Sequence, residues 1–524
     1  MRLAATTLLA ILGTVNSLPV GIESVIEKSQ DVLAIGDQVK SFPFPWPHWG
    51  KPEIDTEKLQ SDITEEGLRE RAEKLYSIAK ASTDEFGHPT RVIGSPGHWG
   101  TVNYILQEME KMSDYYSVDV QHFDAVYGKV NSYSLLIDGV EPKSLSAFSL
   151  TPPTPHKAPV HGNLVLVENF GCDISDFPAN ITKGNIVLIG RGECAFGVKS
   201  VNAGKAGAVG AIIYDEDAPL HGTLGEPTGD EVPTVSISKK DAQHYIDVLS
   251  KKPHHQFETT LFVDSYVKTI NTINVIAETR GGDHNNVVSL GAHSDSVTEG
   301  PGINDDGSGT ISLLEVAKHL SKYKVKNAVR FAWWAAEEEG LLGSYAYANS
   351  LSDEENQKIR LFMDYDMMAS PNYEYQVYDA NNEDHPDGSG DLKDLYIDWY
   401  LAHGYNYTLV PFDGRSDYVG FIDVGIPAGG IATGAEGVKT KKGAKKFGGE
   451  AGKWFDPCYH QLCDDLKNPD YEAWVVNTKL IAHSVATYAK SFDGFPERDV
   501  KNVASISSVK PSDTFKYRGS KLII

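Results

Sequence analysis

No run of 18 apolar residues occurs anywhere in the 524-residue sequence, so no segment reads as a membrane-spanning helix. Basic residues are scarce: 48 Lys and Arg stand against 72 Asp and Glu, a net charge of −24. That deficit argues against a protein that holds nucleic acid by neutralising phosphates, and against attraction to an anionic membrane surface. Only four cysteines are present, Cys172, Cys194, Cys458 and Cys463. Neither Cys172 nor Cys194 has a second cysteine two to four residues away, which excludes a cysteine-type zinc cluster. Internal repeats and long low-complexity tracts are absent. What is there is an ordinary globular composition, with 41% apolar and 10% aromatic residues. It is ample for a sizeable core and excludes disorder over most of the chain. Length alone allows three or four domains, and large α/β units lower that number.

The first residues set an expected compartment. Met1-Arg2 precedes a mostly apolar run, Leu3 to Val15, and then Asn16-Ser17. The run is too short to span a bilayer, and the small Ser17 suits signal peptidase, so residues 1–17 read as a signal peptide. The tail Lys521-Leu522-Ile523-Ile524 is too short for an anchor signal. A soluble protein of the secretory pathway is expected. The even cysteine count fits, with three possible pairings; proximity favours Cys458–Cys463 and, by remainder, Cys172–Cys194. Asn180 and Asn406 begin glycosylation sequons.

Residues 18–53 read as a pro-segment or N-terminal arm. Within them, Phe42 to Trp49 carries three prolines and cannot be helix. Apolar residues at helical spacing predict a helix or helix pair over Ile54–Lys80, opened by Asp55 or Thr56, and a second helix from Thr101 to about Lys111. Short alternating runs broken by Gly and Pro then predict a separate β-rich domain over 128–262, inserted between two parts of a larger domain, 54–127 and 263–495. The second part alternates strand and helix. Its strands are expected at 272–277, 286–290, 328–335, 360–365 and 426–431, with helices at 310–323, 341–350, 388–402 and 471–492. Such alternation predicts an α/β fold with a mainly parallel, mixed sheet covered by helices on both faces. Residues 496–524 read as a flexible tail.

The polar residues that follow each apolar strand carry the chemistry. One strand runs into Gly291-Ala-His293-Ser-Asp295, a second into Glu337-Glu338-Glu339, and a third into Asp366. In a parallel sheet these strand ends share one crevice. Gly302-Ile-Asn-Asp305-Asp306-Gly-Ser-Gly309 adds an acidic loop just before a helix. Taken singly, each cluster has an ordinary explanation, because an acidic run suits a helix start and Asp-Asp-Gly suits a turn. Together at strand ends they would repel one another unless protonated or bound to cations. Mixed His and carboxylate donors favour zinc or a similar ion over calcium. His460 is a second histidine candidate.

These residues resemble those of the M28 family of zinc aminopeptidases, of the secreted fungal leucine aminopeptidase and vacuolar aminopeptidase Y type. The motifs are Gly291–Ser296, Gly302–Gly309, Ala336–Ser344, Tyr365–Asn372, Gly414-Arg-Ser-Asp-Tyr418 and Asp456–Cys463, and the resemblance spans roughly 55–495. Arg191-Gly-Glu-Cys-Ala-Phe-Gly through Ala208 resembles the protease-associated domain. The resemblance implies a zinc exopeptidase fold and two zinc ions per chain. His293, Asp305 and Asp366 would hold one ion; Glu338, His460 and the shared Asp305 would hold the other. Glu337 would be the general base, Asp295 would orient His293, and Tyr459 would hydrogen-bond the developing oxyanion. Arg415 would help bind the substrate amine through its carbonyl, with Met367 and Ala432 also at the substrate. Many bacterial members have Phe where Ala432 stands, so the side-chain pocket differs here. The resemblance also implies a cis peptide at Asp305–Asp306. The expected activity is release of bulky apolar N-terminal residues, Leu among them, from peptides with a free N-terminus, by an extracellular or vacuolar monomer. Another exopeptidase, a glutaminyl cyclase or a receptor-like binding protein remain the alternatives. The basic stretch Lys439–Lys446 reads as a solvated loop.

Overall fold

The computed structural model describes residues 50–498 apart from 216–221 and 226. The expected signal peptide, most of the N-terminal arm and nearly all of the tail lie outside the described residues.

The N-terminal helix pair is α1 (Thr56–Ser61) and α2 (Glu65–Ala79). Asp55 caps α1 by accepting from Lys58 N, as the sequence led one to expect. The next helix, α3 (Pro96–Glu110), starts five residues before the expected Thr101. Its glycines look like breakers in the sequence but are packing positions. A Cβ on Gly97 would lie 2.0 Å from the Thr90 carbonyl. Ser95 caps the helix and Pro96 occupies its first turn, a combination that pre-organises a helix start.

Two 22-residue strands, β1 (Tyr116–Ile137) and β7 (Glu258–Thr279), pair antiparallel along their whole length. The expected domain junctions at 127/128 and 262/263 fall inside these strands, so the chain crosses between the two regions without a linker. Between them lie β2 (Ser146–Ala147), β3 (Val160–Leu166), β4 (Ile186–Gly190), α4 (Phe196–Lys205), β5 (Gly210–Asp215), β6 (Thr234–Ser238) and α5 (Lys239–Leu249). Strands β3, β4, β5 and β6 are parallel neighbours, and β2 joins antiparallel to β6. The helix between β4 and β5 uses its small residues to sit on this sheet, burying Phe196, Ser200 and Ala203.

The larger region continues with β8 (Asp283–His293), α6 (Gly307–Leu320), β9 (Asn327–Trp334), α7 (Leu342–Ser350), β10 (Ile359–Tyr365), β11 (Gln376–Tyr378), α8 (Ser389–Ala402), β12 (Thr408–Val410), α9 (Tyr418–Asp423), β13 (Ala428–Ala432), α10 (Lys441–Phe447) and α11 (Tyr471–Lys490). The strand order is β12-β11-β13-β10-β8-β9-β7-β3-β4-β5-β6-β2, with β1 also on β7; β3 pairs antiparallel with β7, so the strands of the smaller region continue the sheet of the larger one. Pairs β13/β10, β10/β8 and β8/β9 are parallel, while β9/β7 and β13/β11 are antiparallel. The fold is therefore α/β with a mixed sheet, parallel at its centre. Strand β10 is buried at every residue, as expected of a parallel strand covered on both faces. Helix α6 is buried nearly all round, wedged between the sheet and α11, which explains its lack of a polar face. No described helix is long and apolar enough to cross a membrane.

Candidate active site

Parallel pairing of β8, β9 and β10 brings the segments after them to one edge of the sheet. His293 ends β8, the run from Glu337 to Glu339 follows β9, and Asp366 follows β10. The loop before α6 delivers Asp305 to the same place. His293 Nε2 lies 3.3 Å from Asp305 Oδ1 and 3.8 Å from both Glu337 Oε2 and Asp366 Oδ1. On the other side of Asp305, its Oδ2 is 3.1 Å from His460 Nε2, which is 3.1 Å from Glu338 Oε2. Asp305 thus presents one oxygen to each histidine. Asp305, Glu338 and His460 form a group whose donor atoms converge within 4.8 Å, as do His293, Glu337 and Glu338, and His293, Asp306 and Asp366.

Asp306 is the less apt of the two acids for a ligand. Its Oδ2 accepts from His293 N at 3.1 Å, and its Oδ1 accepts from Gly309 N at 2.8 Å and Met367 N at 3.1 Å. It caps α6 and ties β8 to β10. The peptide between Asp305 and Asp306 is cis. Gly309 is required because a Cβ there would stand 1.9 Å from the Tyr365 carbonyl.

These donors fit a metal. His293 Nδ1 and Nε2, Asp305 Oδ2, Glu338 Oε1 and Asp366 Oδ1 are all buried and make no hydrogen bond. Orphaned buried polar atoms are costly, and here lone-pair donors converge on common points. The electrostatics agree. Burial, followed by the charge of neighbours such as Glu338, pushes the Glu337 carboxyl well above the usual carboxylate range, against the pull of His293. Burial likewise pushes Asp366 up to about 6. Burial would lower the imidazoles, yet Glu337 and the carboxylates of Asp295 and Asp305 hold His293 well above its ordinary value. Glu338 and Asp305 do the same to His460. A buried site this rich in negative charge takes up protons unless a cation is bound.

Asp295 has no exposure, faces His293 Nδ1 at 3.6 Å, and accepts from Glu337 N and Glu338 N at 3.3 Å each. It therefore holds the acidic run and the imidazole together. Tyr459 and His460 lie inside the ring closed by Cys458–Cys463, and their rings stack at 3.8 Å between centroids. The second expected disulfide, Cys172–Cys194, is also present. Asp305, Glu337, Glu338, Asp366, Tyr459 and His460 line one cavity of about 250 Å³. Met367, Arg415 and Ala432 line it too, and Arg415 Nη2 donates to both carboxylate oxygens of Glu436, at 2.9 and 3.0 Å. Asn180 and Asn406 are exposed and do not line this cavity, and Asn406 Nδ2 donates to the Lys446 carbonyl.

Several supporting residues were missed in the sequence. Arg91 is fully buried, and its guanidinium donates to the carbonyls of Ser294, Pro301 and Gly302. Asp464 accepts from Asn304 N and Asp305 N, and Asp456 accepts from Asn304 Nδ2 and Cys458 N. Both acids lie in or beside the Asp456–Cys463 motif, but nothing in their spacing shows that they clamp the acidic loop. Ala336, Met367 and His460 adopt φ near +60°, and they stand beside or among the proposed functional residues. Non-glycine residues persist there only where their surroundings impose it.

Comparison with known proteins fits this geometry. The chain is 53% identical over 492 residues to aminopeptidase Y of Saccharomyces cerevisiae, covering 91% of this chain and 88% of that protein. It is 43% identical over 461 residues to leucine aminopeptidase 2 of Trichophyton rubrum, covering 87% and 90%. Among solved structures it is similar to the aminopeptidase from Aneurinibacillus sp. strain AM-1 (TM-score 0.69, 27% identity, 85% of this chain and 98% of that one). It is also similar to a zinc aminopeptidase from Bacillus subtilis (TM-score 0.58, 26% identity, 82% and 97%). A sequence model of Peptidase family M28 matches residues 274–485, and one of the PA domain matches residues 160–245. The chain belongs to peptidase family M28, as a hydrolase of the aminopeptidase type that carries a PA domain.

Proposed function

We propose that this chain is a two-zinc aminopeptidase that removes bulky apolar residues, leucine among them, from the free N-terminus of peptides. The observation that carries the reading is Asp305, whose two oxygens face His293 and His460 separately, with Glu337 beside them in one cavity. His293, Asp305 and Asp366 would hold one ion, and Asp305, Glu338 and His460 the other. Zinc bound there supplies a Lewis acid for the scissile carbonyl and lowers the pKa of water towards neutrality.

The protein's own groups do the rest. Glu337 takes a proton from the attacking water and passes it to the leaving amine, the two duties of a positioned carboxyl group. Tyr459 donates a hydrogen bond to the developing oxyanion. Asp295 holds His293 in orientation from its Nδ1 side. The substrate ammonium is held among the cavity's carboxylates and at the Arg415 carbonyl. Met367 and Ala432 wall the pocket, and the small Ala432 leaves room for a bulky side chain.

The same reading takes residues 54–127 and 263–495 as the peptidase region and 128–262 as the insert. It makes the enzyme a secreted, glycosylated monomer, with the vacuole as the alternative destination. Two disulfides and the leader-like residues 1–17 support that compartment. Leucine p-nitroanilide and its N-acetylated form test the function. The free amine should be hydrolysed, the acetylated form should not, and chelation should abolish turnover. Equal turnover of both would refute an aminopeptidase, and chelator-insensitive turnover would refute the metal.

A further inference from the structure

The basic stretch expected to be a solvated loop is an ordered projection rooted in the cavity wall. Gly437 and Phe455 both line the cavity and are joined by the bond from Phe455 N to the Gly437 carbonyl at 2.8 Å. Beyond them Val438 pairs with Trp454, and Lys439 N bonds to the Lys453 carbonyl at 2.8 Å. The two strands thus leave the wall together, and α10 lies between them. Residues 437–454 hold six lysines and one acidic residue, Glu450, in a chain whose net charge is −24.

Two lysines anchor the projection. Lys439 is buried and donates to the carbonyls of Tyr373 and Gly448 at 2.8 and 2.9 Å. Lys446 donates to the Tyr407 carbonyl. Lys441, Lys442, Lys445 and Lys453 are exposed, and none has a carboxylate within 4.0 Å among the described residues. The Lys446 anchor sets the end of α10 against the residue before β12. Tyr407 immediately precedes β12, whose last residue, Val410, lines the cavity. At about 3.3 Å per residue the anchor is roughly 10 Å from the cavity wall. An extended peptide covers that distance in about three residues.

We infer that this projection is an anion-binding subsite for the downstream part of the substrate, selecting peptides with a carboxylate three to five residues beyond the N-terminal residue. The inference rests on the aminopeptidase reading above. The cavity's carboxylates receive the substrate's positive end, and the lysines receive a negative one. That carboxylate can be an Asp or Glu side chain or the C-terminus of a short peptide.

The test compares Leu-Ala-Ala-Glu-Glu-amide, Leu-Ala-Ala-Lys-Lys-amide and Leu-Ala-Ala-Ala with a free or amidated C-terminus, using the metal-loaded enzyme. A K441E/K442E/K453E variant is assayed beside it. Glutamate is favoured in the first turn of a helix, so the changes at 441 and 442 suit α10. In low salt the wild type should cleave the Glu peptide about fivefold better than the Lys peptide, the scale of two or three exposed charge pairs, chiefly through KM. The ratio should fall towards one in 0.5 M salt and invert in the variant. Leucine p-nitroanilide, which is too short to reach the lysines, should be turned over equally by both proteins and reports that the variant is folded. Preference for the free over the amidated tetrapeptide identifies the C-terminus as a ligand; preference confined to Glu identifies the side chain. A Glu/Lys ratio within twofold in the wild type, or one unchanged in the variant, would overturn the inference while leaving the aminopeptidase reading intact. Failure of the wild type on leucine p-nitroanilide would instead overturn that reading.

Discussion

Removing the two disulfides one at a time should separate stability from activity. Cys458 and Cys463 are five residues apart, and Cys172 and Cys194 are 22 apart. With the chain-entropy relation for loop closure, the short ring contributes about 2 kcal/mol of stability and the long one about 3.4 kcal/mol. The short ring, however, encloses Tyr459 and His460, and it holds His460 at φ +57°. A non-glycine residue in that region costs on the order of 1–3 kcal/mol, so an opened loop relaxes away from it. The donors of His460, Asp305 and Glu338 would then no longer converge. A C458S/C463S variant should therefore lose only about 2 kcal/mol in urea unfolding but at least ~10-fold in kcat/KM, about 1.4 kcal/mol of transition-state stabilisation. Its zinc affinity should fall in parallel. A C172S/C194S variant should lose more stability and keep kcat/KM within about twofold, because both cysteines lie within the residues matched by the PA domain and line no part of the cavity. Leucine p-nitroanilide rates, zinc titration and urea midpoints read all of this. A C458S/C463S enzyme with unchanged kcat/KM and zinc affinity would refute the view that the ring holds His460 in place.

Two further outcomes follow from the site and its surroundings. Glu337→Gln should keep its metal but lose at least ~10²-fold in kcat, the scale of a positioned acid–base group, whereas Glu338→Gln should weaken metal binding; elemental analysis and rates together distinguish them, and identical behaviour would refute the division of roles. His98 is fully buried, and burial lowers its imidazole to about 4. The unfolded chain takes up that proton below about pH 6.5 and the folded one only near 4, so stability is complete above 6.5 and is lost as the pH falls through this window, by up to ~3.4 kcal/mol. His98→Gln should flatten the decline of the urea midpoint between pH 6.5 and 4, and an unchanged decline would refute it.

Much of the site was legible in the sequence because its residues lie in short runs at strand ends. His293 with Asp295, Asp305 with Asp306, and Glu337 with Glu338 are each local, and apolar strands of continuous burial announce the parallel sheet that collects them. The Cys458–Cys463 ring was legible for the same reason. Boundaries that depend on packing were not. Helix α3 begins at Pro96 because Gly97 and Gly100 permit close contacts, with Thr90 and Ile78, that no local pattern reveals. The long pairing of β1 with β7 carries the chain between its two regions, and only the alignment of residues over 120 apart in sequence shows it.

The sequence by itself determined the class of fold and the chemistry of the donor set and favoured the short Cys458–Cys463 ring, because these rest on local composition and spacing. Tertiary structure supplied the physical reason why Asp305, the acid that the family resemblance names, faces the histidines and Asp306 does not. Asp305 and Asp306 are adjacent and chemically alike, yet backbone amides of β8, α6 and the segment after β10 occupy Asp306, while Asp305 is left open to His293 and His460. Tertiary structure also decided that Arg91, Asp456 and Asp464 support the site, since each acts on a segment more than 150 residues away. It decided as well that Gly437 and Phe455, which flank a run of lysines in the sequence, line the cavity. A side chain's type is written in the sequence, but its hydrogen-bond partners, and so whether its lone pairs remain free for a cation, depend on which distant backbone groups the fold brings to it.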